Sequence, residues 1–357
     1  MRGLDVMQEA LFTTVHLESF VPANHPIRAL RELFNTALTR TSWLFDDCYA
    51  EGGRESIAPE RLLRAQLLQV LYSIRSERQL VEQAHYNLLF RWFIGLSIDD
   101  VVWNHSTFSK NRDRLLEHEV VPALFAEVVR LAEQRGLLST DHFSVDGTLI
   151  QAWASHKSFR PKDEGPSGVG RNQARDFHGE QRKNDSHQSV TDPEARLYRK
   201  SSNTAAILCY QGHTVMENRN GLIVRAGVSQ ASGTAERETA LALLKSLPGK
   251  RRKTVGADKG YDVASFTQGC RELNITAHVA AKDKGSAIDG RTRRHAGYGL
   301  SQRKRKRVEE PFGWNKLIGQ IRQVRLRGTR KVEALFQFGM MSWNVLRMRN
   351  IMATSGA

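Results

Sequence analysis

The chain has 357 residues, and its 53 Lys and Arg against 38 Asp and Glu give a formal net charge of +15. This length exceeds that of one typical compact core and predicts two structural units. The basic excess favours a polyanionic partner such as nucleic acid. Since no run approaches the ~18 apolar residues of a bilayer span and the N-terminus lacks a secretion signal, we expect a bacterial-type cytoplasmic protein, nucleoid-associated when bound to DNA, with no membrane contact.

The sequence also lacks the motifs of several cofactor classes. Its three cysteines, Cys48, Cys209 and Cys270, lie far apart without a CxxC pair. They argue against a disulfide framework or a zinc module and indicate buried thiols in a reducing compartment. A Walker-type phosphate loop is absent from the sequence, so no nucleotide cofactor is expected.

Helical periodicity dominates residues 25–136. In PERLLRAQLLQVLYSI (59–74) the leucines recur at helical spacing, and the capping box that begins at Ser76 predicts a second helix, which ends near Gly95. Two more helical segments follow. We therefore expect an all-α N-terminal domain over residues 1–138, with a role in DNA binding or assembly.

Within this domain, the segment HSTFSKNRDRLLEH (105–118) places Lys110 and Arg112 on a predicted helix after a short loop. It has two interpretations, the DNA-reading helix of a helix-turn-helix or a plain solvated helix. Other conspicuous residues have structural interpretations, the aromatic ones as core or dimer contacts and the acids as helix caps. They are Trp92, Phe93 and Trp103, and Asp46, Asp47, Asp99 and Asp100.

From Asp141 onward the pattern becomes that of a sheet. The strand FSVDGTLIQAW (143–153) comes first, and residues 205–230 predict two strands joined by a primed hairpin turn at Asn220-Gly221. Helices and strands then alternate, which indicates an α/β arrangement. Their predicted ranges are a helix at 234–247, a strand at 253–258, a helix at 262–273 and a strand at 275–280.

Residues 157–200 interrupt this pattern with many Gly, Pro, Asn, Gln and Ser residues and few large apolar ones. Such a composition predicts a mobile insertion. His156, His178 and His187 lie in or beside it without zinc-ligand spacing, and we interpret them as surface residues.

Two acids follow predicted strands, Asp146 in FSVDG and Asp258 in KTVGADKGYD. Strand ends are where α/β sheets build active sites. An acid that leads from an apolar strand into Gly is also a common turn former, so each acid has both interpretations.

A third candidate acid is Glu309 in RKRKRVEEPFGWNK (303–316). Arg305, Glu309 and Lys316 are separated by four and seven residues and fall on one stripe of a helix. Such a carboxylate belongs either to a surface ion-pair ladder or to a metal site whose neighbouring cations bind phosphates. Pro311 requires that the helix begin close to Glu309 or be kinked there.

Basic residues are concentrated around this acid. Residues 281–330 hold 15 Lys and Arg against 4 Asp and Glu, so +11 of the net charge lies in one seventh of the chain. The cluster RKRKR, which includes Arg303 and Arg307, is predicted to contact DNA phosphates, with a solvated basic face as the alternative. Hard cations such as Mg²⁺ prefer oxygen ligands, so three acids with adjacent cations suit two-metal phosphodiester chemistry.

Several segments in this order resemble the DDE transposases of bacterial insertion sequences. They are SERQLVEQAHYNLLFRWFIGL with HSTFSKNRDRL, VDGTLIQA at the first acid, TDPEARLYRK (191–200), ADKGYD at the second acid and RVEEPFGWNK at the third. The resemblance covers nearly the whole chain. It implies an α/β catalytic domain of RNase H-like type, with a mixed sheet and flanking helices, over residues 139–350, followed by a tail over 351–357.

The resemblance places the three acids of that family on Asp146, Asp258 and Glu309, as catalytic residues and as ligands of two Mg²⁺ or Mn²⁺ ions. Its Tyr-Arg-Glu-Lys signature assigns Arg305 and Lys316 to DNA phosphates.

The match to this signature is incomplete, because Gln302 occupies its Tyr position and the nearest upstream tyrosine is Tyr298. Glu310 lies beside the signature register and is not assigned a role.

The implied function is DNA transposition. Water hydrolyses one strand at the end of the element, and the freed 3′-hydroxyl attacks target DNA in line, without a covalent protein intermediate. The implied partners are double-stranded DNA, both terminal inverted repeats and target, and a second copy of the chain in a homodimer on DNA. Two alternatives stay open: an RNase H-like nuclease that cleaves without joining, and a DNA-binding regulator whose catalysis has decayed.

Overall fold

The structure is a computed structural model, and it describes residues 16–46, 48–49, 56–162, 182–201, 203–319 and 321–355. The N-terminal part of these residues is helical, as the sequence predicts. Its helices are α1 (Leu17–Phe20), α2 (Ile27–Thr41), α3 (Trp43–Asp46), α4 (Pro59–Leu71), α5 (Glu77–Tyr86), α6 (Leu88–Ile94), α7 (His105–Glu117) and α8 (Val120–Gln134).

Local capping explains where these helices begin and end. The Ser76 hydroxyl accepts a hydrogen bond from the Gln79 amide at 3.1 Å, which confirms the predicted start of α5. The sequence predicts one helix from there to Gly95, but the structure has two. Asn87 interrupts the run because its side chain caps α6 through the Phe90 amide, and Gly95 ends α6 at φ 92°.

The interpretation of the conspicuous aromatic residues as core is confirmed for Trp92 and Phe93, which are both buried. The Trp92 indole donates to Glu18 at 2.7 Å, and the guanidinium groups of Arg28 and Arg31 lie over its ring. Trp103, which is only partly buried, stacks on Phe108. The three cysteines are buried, as predicted, and Cys209 and Cys270 are free thiols.

The rest of the chain forms a mixed sheet with helices on both faces. In spatial order its strands are β4, β5, β1, β7 and β8, and β6 also pairs with β5. The remaining two strands, β2 and β3, pair with each other. The ranges are β1 (His142–Gln151), β2 (Phe159–Pro161), β3 (His187–Ser189), β4 (Arg196–Tyr198), β5 (Ile207–Glu217), β6 (Ile223–Gln230), β7 (Lys253–Ala257) and β8 (Ile275–Val279).

The later helices follow these strands in the predicted alternation. They are α9 (Ala235–Lys245), α10 (Ala264–Glu272), α11 (Gly290–Arg294), α12 (Ala296–Lys304), α13 (Glu309–Leu317) and α14 (Thr329–Ser355). Apolar residues of α9 and α10 pack on one face of the sheet, around Phe143 and Val255. The strand β1 is antiparallel to β5 and parallel to β7, so the α/β domain is of the predicted RNase H-like type.

The C-terminal helix α14 covers the outer edge of β6. The Asn344 side chain accepts from the Ile223 amide at 2.8 Å and donates to its carbonyl at 2.7 Å. Farther along, Gln337 donates to the Ala226 carbonyl at 3.0 Å. These side chains replace a neighbouring strand, which leaves the edge protected. In the described part of the chain, no helix is long and apolar enough to cross a membrane.

Three regions differ in detail from the sequence prediction. The connection between β5 and β6 is not a primed turn, because Gly221 has positive φ and Asn220 does not. Instead the buried Glu217 carboxylate accepts hydrogen bonds from the amides of this connection, including Asn220 at 2.7 Å. The helix α14 also continues through the predicted tail as far as Ser355.

The predicted insertion at 157–200 contributes to the fold where it is described. Strand β2 pairs with β3, β4 pairs with β5, and Phe159 and Ala195 are buried. His156 is exposed and His187 is partly buried against Phe159. Residues 163–181, which include His178, and Asp47 lie outside the described residues, so their predictions stay predictions.

Candidate active site

The first two predicted acids occupy equivalent positions on neighbouring strands. Strands β1 and β7 are parallel, with Ser144 opposite Gly256. Asp146 lies two residues beyond Ser144, and Asp258 lies two residues beyond Gly256. Residues two apart in a strand point to the same face of a sheet. Strand β7 ends at Ala257, whereas β1 continues to Gln151. The two carboxylates are therefore within electrostatic range of each other where β7 ends beside the middle of β1.

The environment of Asp146 favours its neutral form. Its pKa is raised to about 7, chiefly by burial and to a smaller extent by the charges of Asp258 and Glu236, while the Gly147 amide and Lys200 lower it. The Gly147 amide donates to Asp146 Oδ1 at 2.8 Å. Negative charge is thus in excess at this end of β7, which is the electrostatic condition for attracting a cation.

Asp258 is held by the turn that follows it. Its Oδ1 accepts from the Gly260 amide at 2.8 Å and caps the 3₁₀ turn Lys259–Tyr261. This bond engages one carboxylate oxygen of Asp258. The turn-former interpretation and the functional interpretation of this acid are therefore compatible.

A helical run built from α12, the 3₁₀ segment Arg305–Val308 and α13 lies along the same face of the sheet. The Ser301 hydroxyl is 3.1 Å from His142 Nε2. One turn later, Arg305 packs on Gly256, where an added Cβ would lie 3.2 Å from the Arg305 Cβ and 3.4 Å from Ser144 Oγ. The helical run therefore lies alongside β1 and extends in the same direction, toward Asp146.

Glu309 is the next residue in this series, four after Arg305, and it begins α13. Pro311 therefore falls in the first turn, where proline is tolerated, as one of the two predicted arrangements requires. Glu309 is exposed and is not among the charges that shift the pKa of Asp146. Lys316 is partly buried; burial lowers its pKa, the cations Lys200 and Arg322 lower it further, and Asp146 raises it, so its ammonium lies within electrostatic range of that acid.

The residue at the predicted Tyr position has a clear structural role. Gln302 donates to the His278 carbonyl at 2.5 Å and accepts from Arg305 Nε at 3.0 Å, so it connects the guanidinium to β8. Tyr298 instead donates to the Val279 carbonyl at 2.9 Å, at the end of the same strand.

The other predicted DNA contacts divide into two groups. Arg303 and Lys110 are exposed. Arg307 donates to the carbonyls of Arg219 and Asn220 at 3.4 and 3.3 Å, and therefore lies at the opposite end of β1 from Gln151. Arg112 forms an ion pair with Glu77 that connects α7 to α5, and a second one with its neighbour Asp113.

The structure adds three residues that the sequence interpretation missed. Glu236 in the first turn of α9 and Tyr261 after Asp258 interact electrostatically with both aspartates, and Lys200 after β4 does so with Asp146. The segment that carries Lys200 is fixed upstream by Asp192, which accepts from the Tyr210 hydroxyl at 2.7 Å. An acid in the first turn of a helix has a common structural explanation, so its sequence position gave no signal.

The described residues contain no group of three His, Cys, Asp or Glu side chains already arranged around one metal position. The donor set is nevertheless suitable for a hard divalent cation, because it consists of carboxylate oxygens. Burial is the main cause of the raised pKa of Asp146, and the charges of Asp258 and Glu236 add a smaller repulsion that a cation would relieve.

Comparisons with known proteins cover both parts of the chain. The family described as "Transposase DDE domain" matches residues 139–345, and that described as "Transposase domain (DUF772)" matches residues 15–114. Among solved structures, a piggyBac transposase synaptic complex with hairpin DNA is similar at 9% identity and TM-score 0.42, covering 92% of this chain and 76% of that one. The Mos1 strand transfer complex is similar at 10% identity and TM-score 0.21, covering 77% and 83%.

Proposed function

The chain belongs to the DDE transposase family, whose members cut and join DNA, and we propose that Asp146, Asp258 and Glu309 are the metal-binding acids of this chain. The substrates would be the ends of an insertion sequence, and the freed 3′-hydroxyl would be joined to target DNA. The observation that carries this assignment is the shared register of Asp146 and Asp258 beside the end of β7.

The spacing of the helical run supports Glu309 as the third acid. Two residues along a strand advance about 6.7 Å, and four residues along a helix advance about 6 Å. The contacts of Ser301 and Arg305 with β1 and β7 therefore predict that Glu309 stands level with Asp146.

The face of α13 distinguishes Glu309 from Glu310. At about 100° per residue, Glu309 lies about 20° from Lys316 around the helix, whereas Glu310 lies about 120° away. Pro311 and Phe312 are buried and orient the helix. Glu309 therefore shares the side of α13 on which Lys316 approaches Asp146.

Two Mg²⁺ or Mn²⁺ ions, when bound, would activate the attacking oxygen and stabilise the leaving oxygen of an in-line displacement. Asp146 would contribute to both sites, Asp258 to one and Glu309 to the other, and Asp146 must lose its proton to do so. Arg305 and Lys316 would bind the phosphates on either side of the scissile bond.

The proposed partner is double-stranded DNA, and the proposed assembly on it is a homodimer, because the two ends of an element must be cut in a coordinated way. The exposed Arg303 and Lys110 would bind the DNA backbone. Arg307 and Arg112 bind other groups of the protein, and they would stabilise the elements that form this surface.

A strand-transfer assay tests the function. The full chain is incubated with a labelled DNA end taken from the sequence flanking its reading frame, a supercoiled plasmid and Mg²⁺ or Mn²⁺. We expect labelled product joined to the plasmid, and we expect Asp146→Asn, Asp258→Asn and Glu309→Gln each to lower the yield by at least about 10³-fold while DNA binding persists.

The matched control is Glu310→Gln, which should retain activity. Loss of activity in Glu310→Gln with full activity in Glu309→Gln would show that the assigned register is wrong. Cleaved fragments without joined product would indicate a nuclease, and metal-independent DNA binding without nicking would indicate a regulator.

A further inference from the structure

Glu236 lies against the strand that carries Asp146. An added Cβ on Gly147 would be 2.9 Å from Glu236 Oε1 and 3.2 Å from its Cδ, so the carboxylate occupies the space that glycine leaves open. Gly147 follows Asp146 directly. The Glu236 carboxylate is therefore in contact with the backbone of β1 at the candidate site.

This carboxylate is partly buried and has no partner among the described residues. Within the described part of the chain Glu236 has neither a hydrogen-bond donor nor an ion-pair partner, although the cations Lys200 and Arg237 are close enough to influence it. Burial raises its pKa, and the charge of Asp258 raises it further. An isolated carboxylate in such a position is costly unless something positive binds there.

Its location is not explained by the helix dipole. Glu238 is also in the first turn of α9, but it is exposed to solvent. An acid that only stabilises the start of a helix gains nothing from losing its hydration. Glu236 is instead turned toward Gly147, within electrostatic range of Asp146 and Asp258.

A second, independent feature points to a ligand at this place. The Tyr261 side chain is 1% exposed, and its hydroxyl has no hydrogen-bond partner among the residues that the structure describes. Burial raises the pKa of Tyr261, and Glu236, Asp146 and Asp258 raise it further in that order, so the hydroxyl lies among the three carboxylates. A buried hydroxyl normally has a hydrogen-bond partner. A ligand held by the three carboxylates would supply the partner that the Tyr261 hydroxyl lacks.

We propose that Glu236 is a fourth carboxylate of the metal centre and that the Tyr261 hydroxyl donates a hydrogen bond to the ligands held there. This inference rests on the proposed function, because it extends the same site. Four carboxylates match the charge of two divalent cations, and Glu236 reaches the end of β7 from the α9 side of the sheet, opposite the helical run that carries Glu309. The cation is thus enclosed from both faces.

The test is a Mn²⁺ titration of the full chain without DNA, followed by electron paramagnetic resonance, with the Mn²⁺-induced shift in Tm as a second readout. We expect Glu236→Gln to weaken Mn²⁺ binding by about 10- to 100-fold, as for other residues that support a metal site. Glu238→Gln is the matched control from the same helical turn and should bind Mn²⁺ as the wild type does.

Two further variants separate binding from folding. Tyr261→Phe keeps the ring and removes the unpaired hydroxyl, so its Tm without metal should not fall, whereas its Mn²⁺-induced Tm shift should be smaller. Gly147→Ala has an ordinary backbone conformation but displaces the Glu236 carboxylate, so it should weaken Mn²⁺ binding as Glu236→Gln does.

The outcomes distinguish this inference from the proposed function. If Asp146→Asn weakens Mn²⁺ binding and Glu236→Gln does not, the fourth carboxylate is refuted and the three-acid centre stands. If Asp146→Asn binds Mn²⁺ like the wild type, the proposed centre is refuted together with this extension.

Discussion

Single residues of the candidate site are arranged for charge and not for stability. Burial raises the pKa of Asp146 and of Glu236, and the charge of the nearby Asp258 raises both further. A folded protein has no structural reason to collect partly buried carboxylates in this way. The partly buried carboxylates lower the folding stability, and binding of a ligand would compensate this cost.

The titration of Asp146 leads to a prediction about stability. Its pKa is about 7 in the folded chain and near 3.8 when unfolded, so the folded state binds the extra proton between these values. Stability should therefore fall as the pH rises from about 4 to about 7. Asp146→Asn keeps the oxygen that accepts from Gly147 and does not titrate.

We therefore expect Asp146→Asn to be more stable than the wild type at pH 8 without metal, by up to about 4 kcal/mol, with the difference shrinking toward pH 4. Urea unfolding of both proteins in EDTA between about pH 4 and pH 8 measures this difference in stability. A difference that is independent of pH would contradict the assignment, and saturating Mg²⁺ should reduce it.

At the scale of elements, the site depends on three units that approach the end of β7. The strand β1 brings Asp146, α9 brings Glu236, and the helical run from Ala296 to Leu317 brings Arg305, Glu309 and Lys316. Gln302 fixes that run to β8 through a backbone carbonyl. The departure from the expected Tyr therefore leaves the positioning of Arg305 intact.

The helix α14 holds the opposite side of the sheet. Asn344 is 1% exposed and satisfies both backbone groups of Ile223 on the edge of β6. We expect Asn344→Ala to lower the free energy of unfolding by about 3 kcal/mol, because it leaves a buried amide and a buried carbonyl without partners. Urea unfolding measures this change. The exposed Thr354→Ala at the end of the same helix is the control, and an equal loss there would show that the effect belongs to the helix as a whole.

At the scale of the whole molecule, α14 joins the two predicted units. It packs on α8 and α2 of the helical part as well as on β6, and buried residues of both parts form one core. The basic segment 281–330 includes α11, α12 and α13 and lies beside the site. The basic segment and the candidate acids are thus carried by adjoining elements of the fold.

The side-chain contacts of the basic cluster predict different salt dependences for two arginines. Arg303 is exposed, whereas Arg307 donates to the carbonyls of Arg219 and Asn220. In a plot of log affinity against log salt concentration, Arg303→Ala should reduce the slope by about 0.9, the value of one phosphate contact. Arg307→Ala should leave the slope unchanged, as measured by fluorescence anisotropy of labelled DNA. The opposite result would place Arg307 on the DNA.

Much of the fold follows from local patterns in the sequence. Helical spacing of leucines predicts α4, the Ser76 cap predicts the start of α5, and alternation predicts β1, because each of these depends on residues that are neighbours along the chain. The break at Asn87 and the connection after Glu217 were predicted wrongly. Each depends on which of several competing polar groups satisfies the backbone, and that is decided by packing.

The prediction of the two aspartates as site residues and the concentration of basic charge follow from the sequence itself, since strand-end acids and net charge need no knowledge of distant contacts. Only the tertiary structure decided that Asp146 and Asp258 share a register, that Arg307 and Arg112 bind within the protein, and that Glu236 reaches the space beside Gly147. Glu236 and Asp146 are far apart along the chain, and the path of α9 over the sheet brings them together. The physical reason is that burial and mutual repulsion, which distinguish a functional carboxylate from a helix cap, arise only when separate elements pack.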